Sequence, residues 1–440
     1  MIPRFGTDGW RGRAYDELTV DFVRLLGDVA ASVLGGDTFL IGRDTRESGP
    51  DLEQAFADGL ARHGVRAKSL HVTPTPAVAW LSAADGIAAA MISASHNAYT
   101  DNGIKLFAPG GAKLSDLTQI RIQDELDRRR ATPAPASPAT LIDCREELAR
   151  YRSAVVDSLQ GRNLRGLRLV VDCANGSNSE IAPAVLAAVG ADIEVIHDAP
   201  DGRNINDHCG STHPDDLQRL VVEHKADIGL AFDGDADRVL AVDHRGQLID
   251  GDHIIAICAI DRHARGTLAR NSVAVTVMSN LGFRLSMQAR GIHVIETPVG
   301  DRHVLEALAR EGATFGGEQS GHIIFSDLAT TGDGLLTAVQ LLDVVCRSGR
   351  PLAELAAESM TRLPQVLRNV RVPAPVADLE ARLRPAVARI EATLGGRGRV
   401  LIRPSGTEPL VRVMVEAPTE REAAEYAQEL AEVVTTLAAE

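Results

Sequence analysis

Residues 38–76 read TFLIGRDTRESGPDLEQAFADGLARHGVRAKSLHVTPTP. An apolar run meets a small-polar turn, an amphipathic stretch follows and stops at Gly64, and a second strand-like run ends on Pro74 and Pro76. An apolar strand followed by a Gly-terminated helix and a second strand is the unit of a parallel sheet. Parallel strands need such a crossover between them. The same grammar returns in LRLVVDCANGSNSEIAPAVLAAVGADIEVIHDAP (167–200) and in SVAVTVMSNLGFRLSMQARGIHVIETPVG (272–300), with helices stopped at Gly190 and Gly291. Copies spaced this widely predict three similar mixed-sheet α/β domains and exclude a short-period solenoid. A smaller C-terminal α+β domain is expected after the third, where helix-like stretches flank RVLIRPSGTEPLVRVMVEA (399–417), two strands around a Pro-Ser-Gly-Thr turn. The domains are placed at 1–155, 156–253, 254–368 and 369–440, and the Pro-rich ATPAPASPAT (131–140) reads as an exposed loop.

The chain of 440 residues carries 60 acidic and 46 basic side chains, a net charge of −14. That balance speaks against a nucleic-acid partner, which calls for a basic patch or stripe. It also means that a phosphorylated substrate would need a local knot of Arg and Lys to hold it. The five cysteines are scattered without CxxC spacing, so reduced thiols in a cytoplasmic protein are expected. No apolar run is long enough for a membrane span, and MIPRFGTDGWRG lacks the apolar core of a signal peptide.

Chemistry concentrates in a few turns. In GLAFDGDADRVLAVD (229–243), Asp233, Asp235 and Asp237 lie between two apolar strands. In an extended or loop conformation alternate residues face one way, which gathers three carboxylates whose repulsion asks for a hard cation such as Mg²⁺. A solvated acidic turn is the plainer alternative, and the apolar flanks weigh against it. Arg238 follows the third Asp directly. In RPSGTEPLVR (403–412), Arg403, Ser405, Gly406, Thr407 and Arg412 have the composition of a phosphate cradle without a Walker lysine. A structural hairpin turn fits that stretch equally well. FGGEQSGHIIF (315–325) sets Glu318, Ser320 and His322 at alternate positions, and VGDRHV (299–304) sets Asp301 and Arg302 after a strand. Either could read a sugar, and either could be an incidental polar turn. In AAAMISASHNAYTDNGIKLF (88–107), Ser93, Ser95, His96 and Lys105 gather at the end of an alanine-rich strand. No G-x-S-x-G elbow accompanies the serines. With the acidic triad and the cradle, a serine carrying a phosphoryl group is the reading favoured, with Lys105 as proton shuttle or charge neutraliser.

Taken together, FGTDGWRG, SASHN with NGIK, DGDADR, GGEQSGH and RPSGTEPLVR, in that order over the whole chain, resemble the α-D-phosphohexomutase family. NINDHCGSTHP, TVMSNLGF and TGDGLLTAVQLL are most similar to its glucosamine-phosphate branch. The resemblance implies three similar α/β domains and a C-terminal domain around a central cleft, with the last closing over substrate. It implies Ser95 as the phosphorylated residue, holding Mg²⁺ with Asp233, Asp235 and Asp237. His96, Arg11, Lys105 and Arg238 would surround the reacting phosphate. Glu318, Ser320, His322, Asp301 and Arg302 would meet the sugar, and Arg403, Ser405, Gly406, Thr407 and Arg412 its distal phosphate. The implied reaction interconverts glucosamine 6-phosphate and glucosamine 1-phosphate through glucosamine 1,6-bisphosphate, intermediate and activator, toward UDP-N-acetylglucosamine. The expected partner is a small hexosamine phosphate, with no nucleic acid and no membrane, and a homodimer is left open. Mannose or glucose phosphates are the alternative substrates; a silent sugar-phosphate sensor and a metal-dependent phosphatase are the alternatives beyond mutases. Three residues depart from the family pattern: Ala98 replaces Pro, Ala236 replaces Gly, and Trp10 replaces an aliphatic residue. Ala236 would be strained only if its position requires a positive φ.

Overall fold

The computed structural model describes residues 5–6, 9–129, 137–372, 378–404 and 409–439. The chain divides into two compact units, residues 1–278 with 292–357 and residues 279–291 with 358–440. The first unit holds three sheets. In the first, the strand order is Trp10–Arg13, Asp101–Phe107, Ala88–Ile92, Thr38–Arg43, Arg66–Val72 and Ile142–Asp143. Leu248–Ile249, Val239–Asp243, Ile228–Phe232, Arg168–Asp172 and Asp192–Ile196 form the second. The third runs His293–Thr297, Ser272–Thr276, Phe315–Gly317 and Ile323–Phe325.

The repeat read from the sequence is present in all three. Thr38–Arg43, Arg168–Asp172 and Ser272–Thr276 each pair in parallel with the strand that follows their helix. Gly64, Gly190 and Gly291 all adopt positive φ, 70°, 91° and 71°, where a side chain would strain the helix exit.

The equivalence extends further than the sequence suggested. Each first strand also pairs in parallel with a later one, Ala88–Ile92, Ile228–Phe232 or Phe315–Gly317. Each of these then turns back into an antiparallel neighbour. The serine loop (93–100), the acidic loop (233–238) and the Glu318–His322 loop are therefore the same turn in three copies of one topology. These are carboxyl ends of parallel strands, where α/β sheets bind ligands. Phe39, Phe56, Phe107, Phe232, Phe315 and Phe325 are among the largest fully buried side chains.

The second unit is an antiparallel three-stranded sheet, Gln365–Arg371, Leu410–Glu416 and Arg399–Pro404, with helices Leu379–Leu394 and Glu420–Ala439. The two strands expected on either side of the Pro-Ser-Gly-Thr stretch pair antiparallel. Among the described residues, no helix is long and apolar enough to cross a membrane.

Candidate active site

Ser95 is buried at the head of its loop with φ +54°, and its Oγ donates to Asp233 Oδ2 at 2.6 Å. A non-glycine residue in that region is uncommon and is held there by its surroundings. Here Ser93 Oγ accepts from Ser95 N at 2.9 Å, and Asn206 Nδ2 donates to the carbonyls of Ser95 and Asn97 at 2.9 and 3.1 Å. The acidic loop lies directly against this turn. A Cβ on Gly234 would fall 2.7 Å from Ser95 O, so only glycine permits the approach.

Asp233, Asp235 and Asp237 are buried, and one carboxylate oxygen of each lies within 4.8 Å of the others. They converge through a tight turn, with Ala236 N donating to Asp233 O at 3.0 Å, the loop form of the two arrangements expected from their spacing. That turn sets Ala236 at φ +58°, so the condition for strain is met. Left-handed backbone costs an alanine about 1–2 kcal/mol, partly offset by the larger unfolded-state freedom of glycine. Ala236→Gly should raise stability by up to about 1 kcal/mol, measured by urea unfolding.

Lys105 compensates much of the charge. Its Nζ donates to Asp235 Oδ2 at 2.7 Å and Asp237 Oδ2 at 3.0 Å. Burial and the neighbouring carboxylate push Asp235 up, but Lys105 and the Thr75 hydroxyl, which donates to Asp235 at 2.6 Å, bring it below the usual range. Asp237 lies well below that range for similar reasons, with Lys105 and His322 overcoming burial. Asp233 lacks the lysine: burial and the two other carboxylates push it up to about 8. Asp235 Oδ1 and Asp237 Oδ1 are buried with no hydrogen-bond partner among the described residues. Orphaned carboxylate oxygens converging beside Ser95 Oγ are a donor set suited to a hard divalent cation. His96 Nδ1 lies 3.4 Å from Ser95 Oγ, and burial followed by the charges of Arg238 and Arg11 pulls its pKa down to about 4. Arg238 is largely shielded, its backbone N donating to Asp233 Oδ1 at 3.2 Å.

The other predicted residues fall into two groups. His322 is buried, with Nδ1 3.6 Å from Asp237 Oδ1 and Nε2 3.2 Å from Asp301 Oδ2; burial opposes its protonation, yet the two carboxylates raise its pKa. Asp301 also pairs with Lys113. Arg302 pairs with Asp116 and Glu306, Glu318 accepts from Gly300 N at 3.0 Å, and Ser320 is exposed. In the second unit, Arg403 and Arg412 are cross-strand partners. Ser405, Gly406 and Thr407 lie outside the described residues.

Sequence reasoning missed Thr75 and Asn206, since each is brought to the loops by a distant segment. It also gave no role to Asp333, whose carboxylate accepts from Tyr151 Oη at 2.9 Å and from Leu336 N at 2.9 Å. The next residue, Gly334, donates its N–H to Ala236 O at 3.1 Å, so the helix Gly334–Ser348 starts against the acidic loop. Burial pushes Asp333 from its ordinary 3.8 up to about 6. A raised folded-state pKa favours the folded protein when protonated, fully below the unfolded value and no longer above the folded one. Relative to Asp333→Asn, the wild type should lose roughly 2 kcal/mol between pH 4 and pH 8, read by urea unfolding.

Four family models match the chain in succession: phosphoglucomutase/phosphomannomutase domain I over residues 3–132, domain II over 149–246, domain III over 250–363 and the C-terminal domain over 367–433. The chain belongs to the phosphoglucomutase/phosphomannomutase family, the α-D-phosphohexomutases. Within it, the chain is 51% identical to the phosphoglucosamine mutase of Frankia alni, with 99% of this chain and 98% of that protein covered. It is 48% identical to the phosphoglucosamine mutase of Desulforudis audaxviator, with 98% of each covered. Among solved structures, a phosphoglucomutase/phosphomannomutase family protein from Burkholderia thailandensis superposes with TM-score 0.82 at 24% identity, covering 99% of this chain and 98% of that one. Aspergillus fumigatus N-acetylphosphoglucosamine mutase, solved with GlcNAc-6P and magnesium, superposes with TM-score 0.71 at 20% identity, covering 100% and 96%. These two likenesses bear on the fold.

Proposed function

We propose that this chain interconverts glucosamine 6-phosphate and glucosamine 1-phosphate, with Ser95 as the phosphoryl carrier and glucosamine 1,6-bisphosphate as the intermediate. The observation that carries the chemistry is Ser95 Oγ, 2.6 Å from Asp233 Oδ2 and beside carboxylate oxygens that accept no hydrogen bond among the described residues. Support for the substrate comes from relatives near 50% identity over almost the whole chain that bear the name phosphoglucosamine mutase.

In the first half-reaction the phosphorus on Ser95 Oγ bonds to the sugar's 1-hydroxyl oxygen and its bond to Oγ breaks. The hydroxyl proton leaves the sugar, and Oγ takes up a proton. In the second half, after the bisphosphate turns around, Oγ attacks the 6-phosphate, and the 6-oxygen leaves as a hydroxyl. Asp233 Oδ2 is placed to hold the Ser95 proton at this point. Lys105 stays an ammonium between two carboxylates and neutralises charge. Mg²⁺ held by Asp233, Asp235, Asp237 and the Ser95 phosphate would stabilise the charge of the transferring group. Arg11, His96 and Arg238 line the approach to it. Glu318, Ser320, His322, Asp301 and Arg302 are assigned to the sugar side. Arg403, Ser405, Gly406, Thr407 and Arg412 are assigned to the distal phosphate.

Phosphorus NMR tests this reading. Protein incubated with Mg²⁺, a trace of the 1,6-bisphosphate and the 6-phosphates of glucosamine, glucose and mannose in turn should convert glucosamine 6-phosphate fastest. Faster turnover of glucose or mannose phosphate would move the assignment to the sister activity, and release of inorganic phosphate alone would mean a phosphatase.

A further inference from the structure

The turn Asp44–Ser48, in the GRDTRESG stretch after strand Thr38–Arg43, puts no side chain on a reacting atom, yet it binds the backbone of the Ser95 loop at several points. Arg46 is fully buried and pairs with Asp44 at 2.8 Å. Its Nη2 donates to Ser95 O at 2.9 Å and Asn97 O at 2.8 Å. Its Nη1 donates to Asp101 O at 3.0 Å and to Ala98 O. A guanidinium has five N–H donors in a rigid fork, and here all the terminal ones are spent on carbonyls of a single loop. Neighbours complete the grip. Asp44 Oδ2 accepts from Ser93 Oγ at 2.6 Å, Asp44 N donates to Ile92 O at 3.0 Å, and Asn102 Nδ2 donates to Ser48 Oγ at 2.9 Å.

Burying a cation is costly unless it is paired and its donors are satisfied, and Arg46 meets both conditions through Asp44 and the loop carbonyls. What the loop holds is Ser95 at φ +54°, a conformation its own sequence does not favour. Asn206 adds a second donor from another domain repeat to two of the same carbonyls, Ser95 O and Asn97 O.

We propose that Arg46 is the positioning residue of the phosphoryl carrier: by binding the carbonyls of Ser95, Asn97, Ala98 and Asp101 it fixes the left-handed turn that aims Ser95 Oγ at the carboxylate cluster. Asn206 shares the task. The role rests on the reading of Ser95 as the group that carries phosphate. Arg46 never touches substrate.

The test uses the full chain and two independent readouts. Arg46→Lys keeps the charge beside Asp44 but not the fork; Asn206→Ala removes a neutral donor and leaves no buried charge behind. Amide hydrogen exchange over the peptide spanning Ser93–Asn102 should accelerate about tenfold or more in both variants, with the second unit unchanged. In turnover, Arg46→Lys should lower kcat about 10²-fold, the scale of a misplacement near 1 Å, with KM nearly unchanged. The Arg46→Lys/Asn206→Ala double variant should lose much less than the product of the single losses, because both donors serve the same carbonyls. Unaltered exchange in folded variants overturns the proposal, as do wild-type kcat in Arg46→Lys or losses that simply multiply. A wild-type protein that never carries phosphate on Ser95 would sink the functional reading, and the exchange experiment would still decide whether Arg46 holds the loop.

Discussion

In a Ser95→Ala variant, conversion of glucosamine 6-phosphate is expected to fall by about 10⁴-fold or more, the scale seen when a covalent nucleophile is removed. The fold should survive. Among the described residues, Ser95 Oγ hydrogen-bonds only with Asp233 and His96, and the turn that carries it is held through backbone groups. Sugar-phosphate binding, read by calorimetry, should stay close to wild type, since the lost atom is a phosphoryl acceptor and not a substrate clamp. A residual rate within about tenfold of wild type would mean that phosphate reaches the sugar by another route.

The second large effect concerns Lys105. Three carboxylates are buried around one ammonium, and two of them donate nothing and receive their strongest support from it. Removing one partner of a buried ion cluster costs about 3–5 kcal/mol, because the remaining charges stay buried without compensation. Lys105→Met should therefore be destabilised by about that amount in EDTA. Saturating Mg²⁺ should restore much of the loss, by binding the folded state alone. The check is urea unfolding of both proteins with EDTA and with Mg²⁺. Equal stability of the two in EDTA would mean that the carboxylates are neutralised by protons and not by Lys105.

What could be read from the sequence followed from how each feature is encoded. The three repeats announced themselves because apolar strands and glycine stops are local signals, and the acidic triad because charge between buried strands is rare. The equivalence of the three functional loops stayed hidden. The third copy's strand, Phe315–Gly317, is three residues with two glycines, and carries no strand signature. Arg46, Thr75 and Asn206 were illegible for a different reason. None stands out in its own segment, and each acts on a loop 49, 160 or 111 positions away. His322 and Asp301 stand in separate turns of the sequence, and the structure sets them against each other, linking Lys113 to Asp237. Side-chain chemistry named the candidates. Only tertiary contact shows which partners each one has.

The central claim is that Ser95 takes and returns a phosphoryl group, and a label chase tests it most directly. Protein is charged with radiolabelled glucosamine 1,6-bisphosphate in Mg²⁺, freed of excess ligand, digested and mapped, and a parallel sample is chased with unlabelled glucosamine 6-phosphate. The account predicts label on the peptide containing Ser95, and its transfer into sugar phosphate on the chase. Label absent from that peptide in protein that still interconverts the two phosphates would contradict it.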